Sequence, residues 1–183
     1  MNRKEFINSF CKLGACSCAG MGLFAYDEAN AKDDNEEIKA LKGKFKFTQY
    51  RLAKLIEIMY STLEEKTCQE ILEKVGRECG KVFGVYKKYR GNIEGYIDEV
   101  ARKYHKEVNY DQKQGIIKIA SDKRDDCVCS LATKEFTPPT FCDCSAGLFK
   151  EEYETVLEKS VKVDVIESVL RGAERCVFEI SIT

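Results

Sequence analysis

The chain of 183 residues has one histidine, two prolines, no tryptophan and no surplus of either charge. Thirty basic residues against 31 acidic ones leave a net charge of −1, so no overall field exists to hold nucleic acid or an anionic membrane. Two prolines among 12 glycines exclude a collagen-like chain. No apolar run approaches the roughly 20 residues of a membrane helix, which excludes a multi-span membrane protein. A Ser-His-Asp triad would have to be built on His105, and nothing near it in sequence supplies partners; it reads as a helix-terminal residue. Cys-x-x-Cys is missing, which argues against a thiol redox protein. What is present is ordinary for a folded chain: 44% hydrophobic and 33% charged residues, enough for one domain with a real core. Ten cysteines are many, yet below the roughly 8–10% of a disulfide scaffold.

Residues 1–31 read as an export-signal-like leader, ahead of one domain over 32–183. Arg3 and Lys4 precede an uncharged run from Leu13 to Tyr26, and Ala29-Asn30-Ala31 has the small-x-small form of a cleavage site. NRKEFI resembles a twin-arginine signal with one arginine replaced by Lys4. Leu13-Gly14-Ala15-Cys16 resembles a bacterial lipobox, which would put a lipid anchor on Cys16, although Lys12 interrupts the apolar region. The expectation is export to the periplasm or the outer side of a bacterial membrane; an ordinary frayed terminus of a cytoplasmic protein is the alternative. Cleavage after Ala31 would leave seven cysteines, an odd set that cannot pair completely.

The first half is helical. Leu52, Leu55, Ile56, Met59 and Leu63 keep the spacing of one helix face. Cys68, Ile71, Leu72, Val75, Cys79, Val82, Phe83 and Tyr86 form a second stripe, with Thr67 as its cap and Cys68 and Cys79 as small core hydrophobes. Asn92 caps a third helix that turns Ile93, Tyr96, Ile97, Val100 and Tyr104 inward. After Glu107 the pattern becomes stranded: a hairpin turning at Gln112–Gly115, a short strand over residues 127–132, and a diproline break at Pro138-Pro139. A helix from about Gly147 and a closing hairpin around Arg171–Glu174 complete the chain. The order predicts an α+β fold, a helical N-terminal half packed on an antiparallel sheet, as a single ligand-binding-type domain.

In that closing hairpin the alternation predicts Val169 opposite Cys176 and Glu167 opposite Phe178, so Glu167 and Cys176 share the apolar face. A carboxylate there must be paired, protonated or metal-bound, unless a bulge near Ile166 turns it to water. Two Cys-x-Cys pairs, Cys127/Cys129 and Cys142/Cys144, each present both thiols to one side of a strand, with Cys176 as a fifth sulfur. Zinc ligation, cross-strand disulfides and free thiols around a pocket all stay open, and zinc would need a bend at each pair.

The run CDCSAGLFKEEYETVLEKSVKVDVIESVLRGAERCVFEISI resembles the C-terminal half of the L-2-amino-thiazoline-4-carboxylic acid hydrolase-like family and, more distantly, the 4-vinyl reductase domain. Cys142, Cys144, Ser145, Gly147, Glu167, Leu170-Arg171-Gly172, Cys176 and Phe178 carry the resemblance, the CVC run at Cys127 adds to it, and it covers about residues 107–182. It implies a domain enclosing a ligand cavity, with Ser145 and Phe178 against the ligand and Cys142, Cys176 and Glu167 as candidate zinc ligands. It also implies hydrolysis of a C–N bond in a small cyclic amidine or amide-like substrate. Cys144, at a helix N-terminus that would lower its pKa, is then the nucleophile, and Glu167 the proton carrier. The competing expectation is a non-enzymatic small-molecule-binding or sensing domain with a structural zinc held by Cys127, Cys129, Cys142, Cys144 and Cys176.

Overall fold

The structure, a computed structural model, describes residues 28–104 and 106–183. Most of the expected leader, Cys16 within it, and His105 lie outside the described residues. Two compact units divide the chain, residues 1–40 and 41–183, and the sheet and both apolar clusters belong to the second. Among the described residues no helix is long and apolar enough to cross a membrane.

The fold is α+β, as the pattern predicts. Helix α1 (Glu28–Thr62) buries Ala53 and Ile56 and half-buries Leu52 and Met59. Leu55 and Leu63, expected on the same face, are exposed. Helix α2 (Glu65–Phe83) starts two residues before the expected cap, with extended Glu64 as its N-cap and no side-chain cap bond. Its buried face is Cys68, Leu72, Gly76 and Gly80, a step of four, while Val82 and Phe83 of the predicted stripe are exposed.

The reason is a backbone-to-backbone crossing with helix α4 (Asp143–Leu157). A Cβ on Gly76 would lie 1.8 Å from the carbonyl oxygen of Cys144, and one on Gly147 would lie 1.9 Å from that of Glu73. Only residues without side chains permit this approach. Ion pairs flank it: Arg77 Nη1 to Glu154 Oε2 at 2.8 Å and Lys150 Nζ to Glu73 Oε2 at 2.6 Å. Helix α3 (Ile93–Tyr104) is capped as expected, Asn92 Oδ1 accepting from the Gly95 N–H at 3.0 Å.

Strands β1 (Glu107–Asp111), β2 (Ile116–Ala120), β3 (Val161–Glu167) and β4 (Val177–Ile182) form one antiparallel sheet in the order β1-β2-β4-β3. The first hairpin matches the expectation: Asp111 Oδ1 accepts from the Lys113 and Gln114 N–H groups, and Gly115 takes φ +68°. Ile117 and Ile119 of β2, Phe178 and Ile180 of β4, and Val161 and Val163 of β3 meet Phe149, Tyr153 and Val156 of α4 in the main core. Tyr86, Tyr96 and Val100 close it from the side of α3.

Two expectations fail in the second half. Residues 127–132 are bends and turns, not a strand. Asp126 Oδ1 organises this loop by accepting from the Cys127 and Lys134 N–H groups. The β3–β4 register also differs, because Val165 pairs with Phe178 and a bulge follows before Glu167 pairs with Val177. Val169 leaves the sheet for a 3-10 turn over Val169–Arg171, with Ser168 Oγ accepting from the Leu170 N–H.

Candidate ligand-binding site

That bulge decides the fate of Glu167. An extra residue in one strand reverses which side the next side chain takes. Glu167 is therefore exposed, and the expectation that it shares the apolar face with Cys176 is corrected. It cannot act on a group in the core. Phe178 lies inside the core against Phe149, ring centroids 4.5 Å apart, and Ser145 sits half-buried in the first turn of α4.

Cys142 and Cys176 are buried, Cys127 and Cys144 half-buried, and Cys129 is exposed. Burial, first of all, pushes the Cys127 thiol up to about 11, and charge on Cys129, Cys142 or Cys176 would push it further. Cys144 is pushed up to about 12, again by burial first and then by Cys79, Cys129 and Cys142. Cys79, expected only as core filling, thus belongs to this neighbourhood. Cys142 Sγ lies 2.8 Å from Ser168 Oγ, deep under the 3-10 turn. The seven cysteines among the described residues are free thiols. Among those residues, no three of His, Cys, Asp and Glu are grouped as a metal ion would need. The shift for Cys144 is thus opposite to the lowering expected at a helix start, with loss of hydration as its first cause.

A different site lies between α3 and α4. A cavity of about 260 Å³ is walled by Tyr96, Val100 and Tyr104 of α3 and by Leu148, Phe149, Glu152 and Tyr153 of α4. Phe83 and Val85, Lys106 before β1, and Arg124 and Val128 of the loop after β2 also line it. Neither Ser145 nor Phe178 is among its lining residues.

The polar groups in this apolar enclosure are poorly satisfied. Tyr96 Oη donates to Glu152 Oε2 at 2.8 Å. Burial raises the Glu152 carboxyl above its ordinary range, opposed by that hydrogen bond and by Lys106. Burial lowers the Lys106 amine, Glu152 opposes it, and Arg124 adds to it. The Lys106 Nζ stands 5.2 Å from the Phe149 ring centroid and 5.7 Å from that of Tyr104. Among the described residues, the Arg124 Nε and the Tyr153 hydroxyl are buried with no hydrogen-bond partner, and Tyr153 is 0% exposed. Buried polar atoms in native proteins are nearly always paired, so these two are free to donate to a molecule in the cavity.

Sequence reasoning passed over this set. Glu152 carried a usable signal, since it lies three residues after Phe149 on the inward stripe of a predicted helix. Lys106 and Arg124 carried none: each sits in a charged stretch that reads as solvated loop.

No family model matches the sequence. The chain is 29% identical over 177 residues to an uncharacterized protein of Methanocaldococcus jannaschii, with 87% of this chain and 89% of the relative covered. Among solved structures it is similar to a trafficking protein particle complex subunit 3 from Naegleria fowleri covalently bound to palmitic acid. That likeness has a TM-score of 0.52 at 16% identity, over 75% of this chain and 96% of the other, and it shows a shared fold. A vinyl-4-reductase family protein from Methanocaldococcus jannaschii aligns over 88% of this chain and 99% of its own, at 16% identity and a TM-score of 0.37. The likeness to the thiazoline hydrolase-like family rests on the sequence resemblance.

Proposed function

We propose that this protein binds a small amphipathic anion, an aliphatic or aromatic carboxylate, in the cavity between α3 and α4. The observation that carries the reading is the pairing of apolar walls with the Arg124 guanidinium, the Lys106 amine and a fully buried Tyr153 hydroxyl that has no partner among the described residues. Phe83, Val100, Leu148 and Phe149 offer an apolar tail the free energy of leaving water. A carboxylate end would accept from Arg124 and Tyr153 and offset the cost of keeping cations in an apolar enclosure. The neighbour of shared fold that carries palmitic acid supports an apolar-chain ligand for this architecture.

Hydrolysis of a C–N bond, the alternative from the family resemblance, would need another nucleophile and base than those the sequence suggested. Cys144 is shielded and Glu167 faces solvent. Binding is therefore the function the geometry supports best. Calorimetric titration of the full chain with octanoate and with octanol tests it. A charge-assisted hydrogen bond is worth about 1.5–3 kcal/mol, so octanoate should bind about ten- to a hundredfold more tightly than the alcohol. Arg124→Gln should remove most of that preference. Equal affinity for acid and alcohol, or no binding of octanoate or benzoate, would overturn the reading.

A further inference from the structure

Lys106 is an unusual wall for such a cavity. A lysine with no structural task normally extends its ammonium to water or pairs it. Here the amine faces the Phe149 and Tyr104 rings, and among the described residues no carboxylate pairs with it at ion-pair distance. Arg124, a second cation, lines the same space, and so does the Glu152 carboxyl, fixed by Tyr96 Oη. A nucleophilic amine, an acid and a carboxylate-binding cation in one apolar cavity are the parts of an imine-forming site.

Resting on the proposed anion-binding role of the cavity, we infer that Lys106 forms a covalent imine with a 2-oxo acid whose carboxylate is held by Arg124 and Tyr153. The neutral Nζ attacks the carbonyl carbon, a C–N bond forms, and the carbonyl π pair moves to oxygen. A proton passes from nitrogen to that oxygen to give the carbinolamine. Glu152 in its acid form then protonates the hydroxyl, the C–O bond breaks, and water leaves. The nitrogen lone pair closes the C=N bond, leaving a protonated imine opposite the Glu152 carboxylate. No oxidant or reductant is needed.

The electrostatics agree with these roles. Loss of hydration, seconded by Arg124, lowers the amine's proton affinity, while burial keeps the Glu152 carboxyl protonated to higher pH. Each unit by which an amine's pKa falls gives about tenfold more free amine at pH 7.

The test is reductive trapping on the full chain. The protein is incubated with phenylpyruvate and sodium cyanoborohydride at pH 7, digested, and each lysine's adduct quantified by mass spectrometry. The expected result is an adduct on Lys106 formed faster than on any exposed lysine, the direction that its lowered proton affinity gives. Saturating octanoate should suppress the Lys106 adduct and leave the exposed lysines unaffected. Lys106→Arg should lose the fast adduct, and the mapping in the unaltered chain stands whether or not that variant folds. Labelling spread evenly over the lysines, or no adduct on Lys106, would overturn the inference. If octanoate still binds in that case, the imine alone fails; if octanoate does not bind either, the cavity reading fails with it.

Discussion

Replacing Gly147 with alanine puts a methyl carbon where the backbone of α2 already lies. The new Cβ would sit 1.9 Å from the Glu73 carbonyl oxygen, against about 3.4 Å for ordinary contact, so the helices must part by roughly 1.5 Å. The obstacle is backbone and has no rotamer to change. Overpacking of this kind typically costs about 1–3 kcal/mol, and a rigid carbonyl places it at the upper end. Alanine returns about 0.5–1 kcal/mol through its better helix propensity. The net loss is about 2 kcal/mol, or roughly 4–8 °C in Tm for a domain of this size. The control is Gly43→Ala in α1, where a Cβ meets nothing within 4 Å; only the propensity term remains there, so it should stabilise by about 0.5–1 kcal/mol. Urea unfolding followed by circular dichroism measures both. The reasoning is refuted if Gly147→Ala unfolds at the same or a higher urea concentration than the parent. Parting the helices also displaces Phe149, Glu152 and Tyr153, so octanoate affinity should fall in the same variant.

Glu152 and the thiols give two further expectations. Because the folded-state pKa of Glu152 is raised by burial, the native chain binds more protons than the unfolded one once pH exceeds the ordinary carboxyl value of about 4.3. Stability is therefore lost as pH rises through the raised value. Glu152→Gln should match the parent at pH 3 and exceed it increasingly toward neutral pH, and a difference that does not vary with pH in denaturant titrations would refute the burial argument. For the thiols, a value of about 12 leaves Cys144 ionised in roughly one chain per ten thousand at pH 8, and about 11 leaves Cys127 in roughly one per thousand. Iodoacetamide at pH 8 should alkylate exposed Cys129 before half-buried Cys127 and Cys144; Cys144 labelled as fast as Cys129 would restore it as a nucleophile.

The sequence by itself determined whatever depends on neighbours along the chain. Asn92 announces the start of α3, and Asp111 with Gly115 announces the β1–β2 turn, because caps and turns are satisfied within a few residues. The inward order of Phe149, Tyr153 and Val156 follows from helical period, and so does the α+β class. Alternation left two places open for Glu167, inward beside Cys176 or outward across a bulge near Ile166, and the bulge between Val165 and Glu167 decided for the outward one. The short apolar run CVCSLA could not be told from a strand, and its place as loop is set by Asp126. The face that α2 buries was decided by α4, because the gain from a glycine-to-glycine approach exists only once both helices are present. The cavity is the furthest case. Lys106, Arg124, Glu152 and Tyr153 come from three separate segments, and each alone reads as solvated charge or core aromatic. Only the tertiary structure removes their water together, and the loss of that water is what makes them a site.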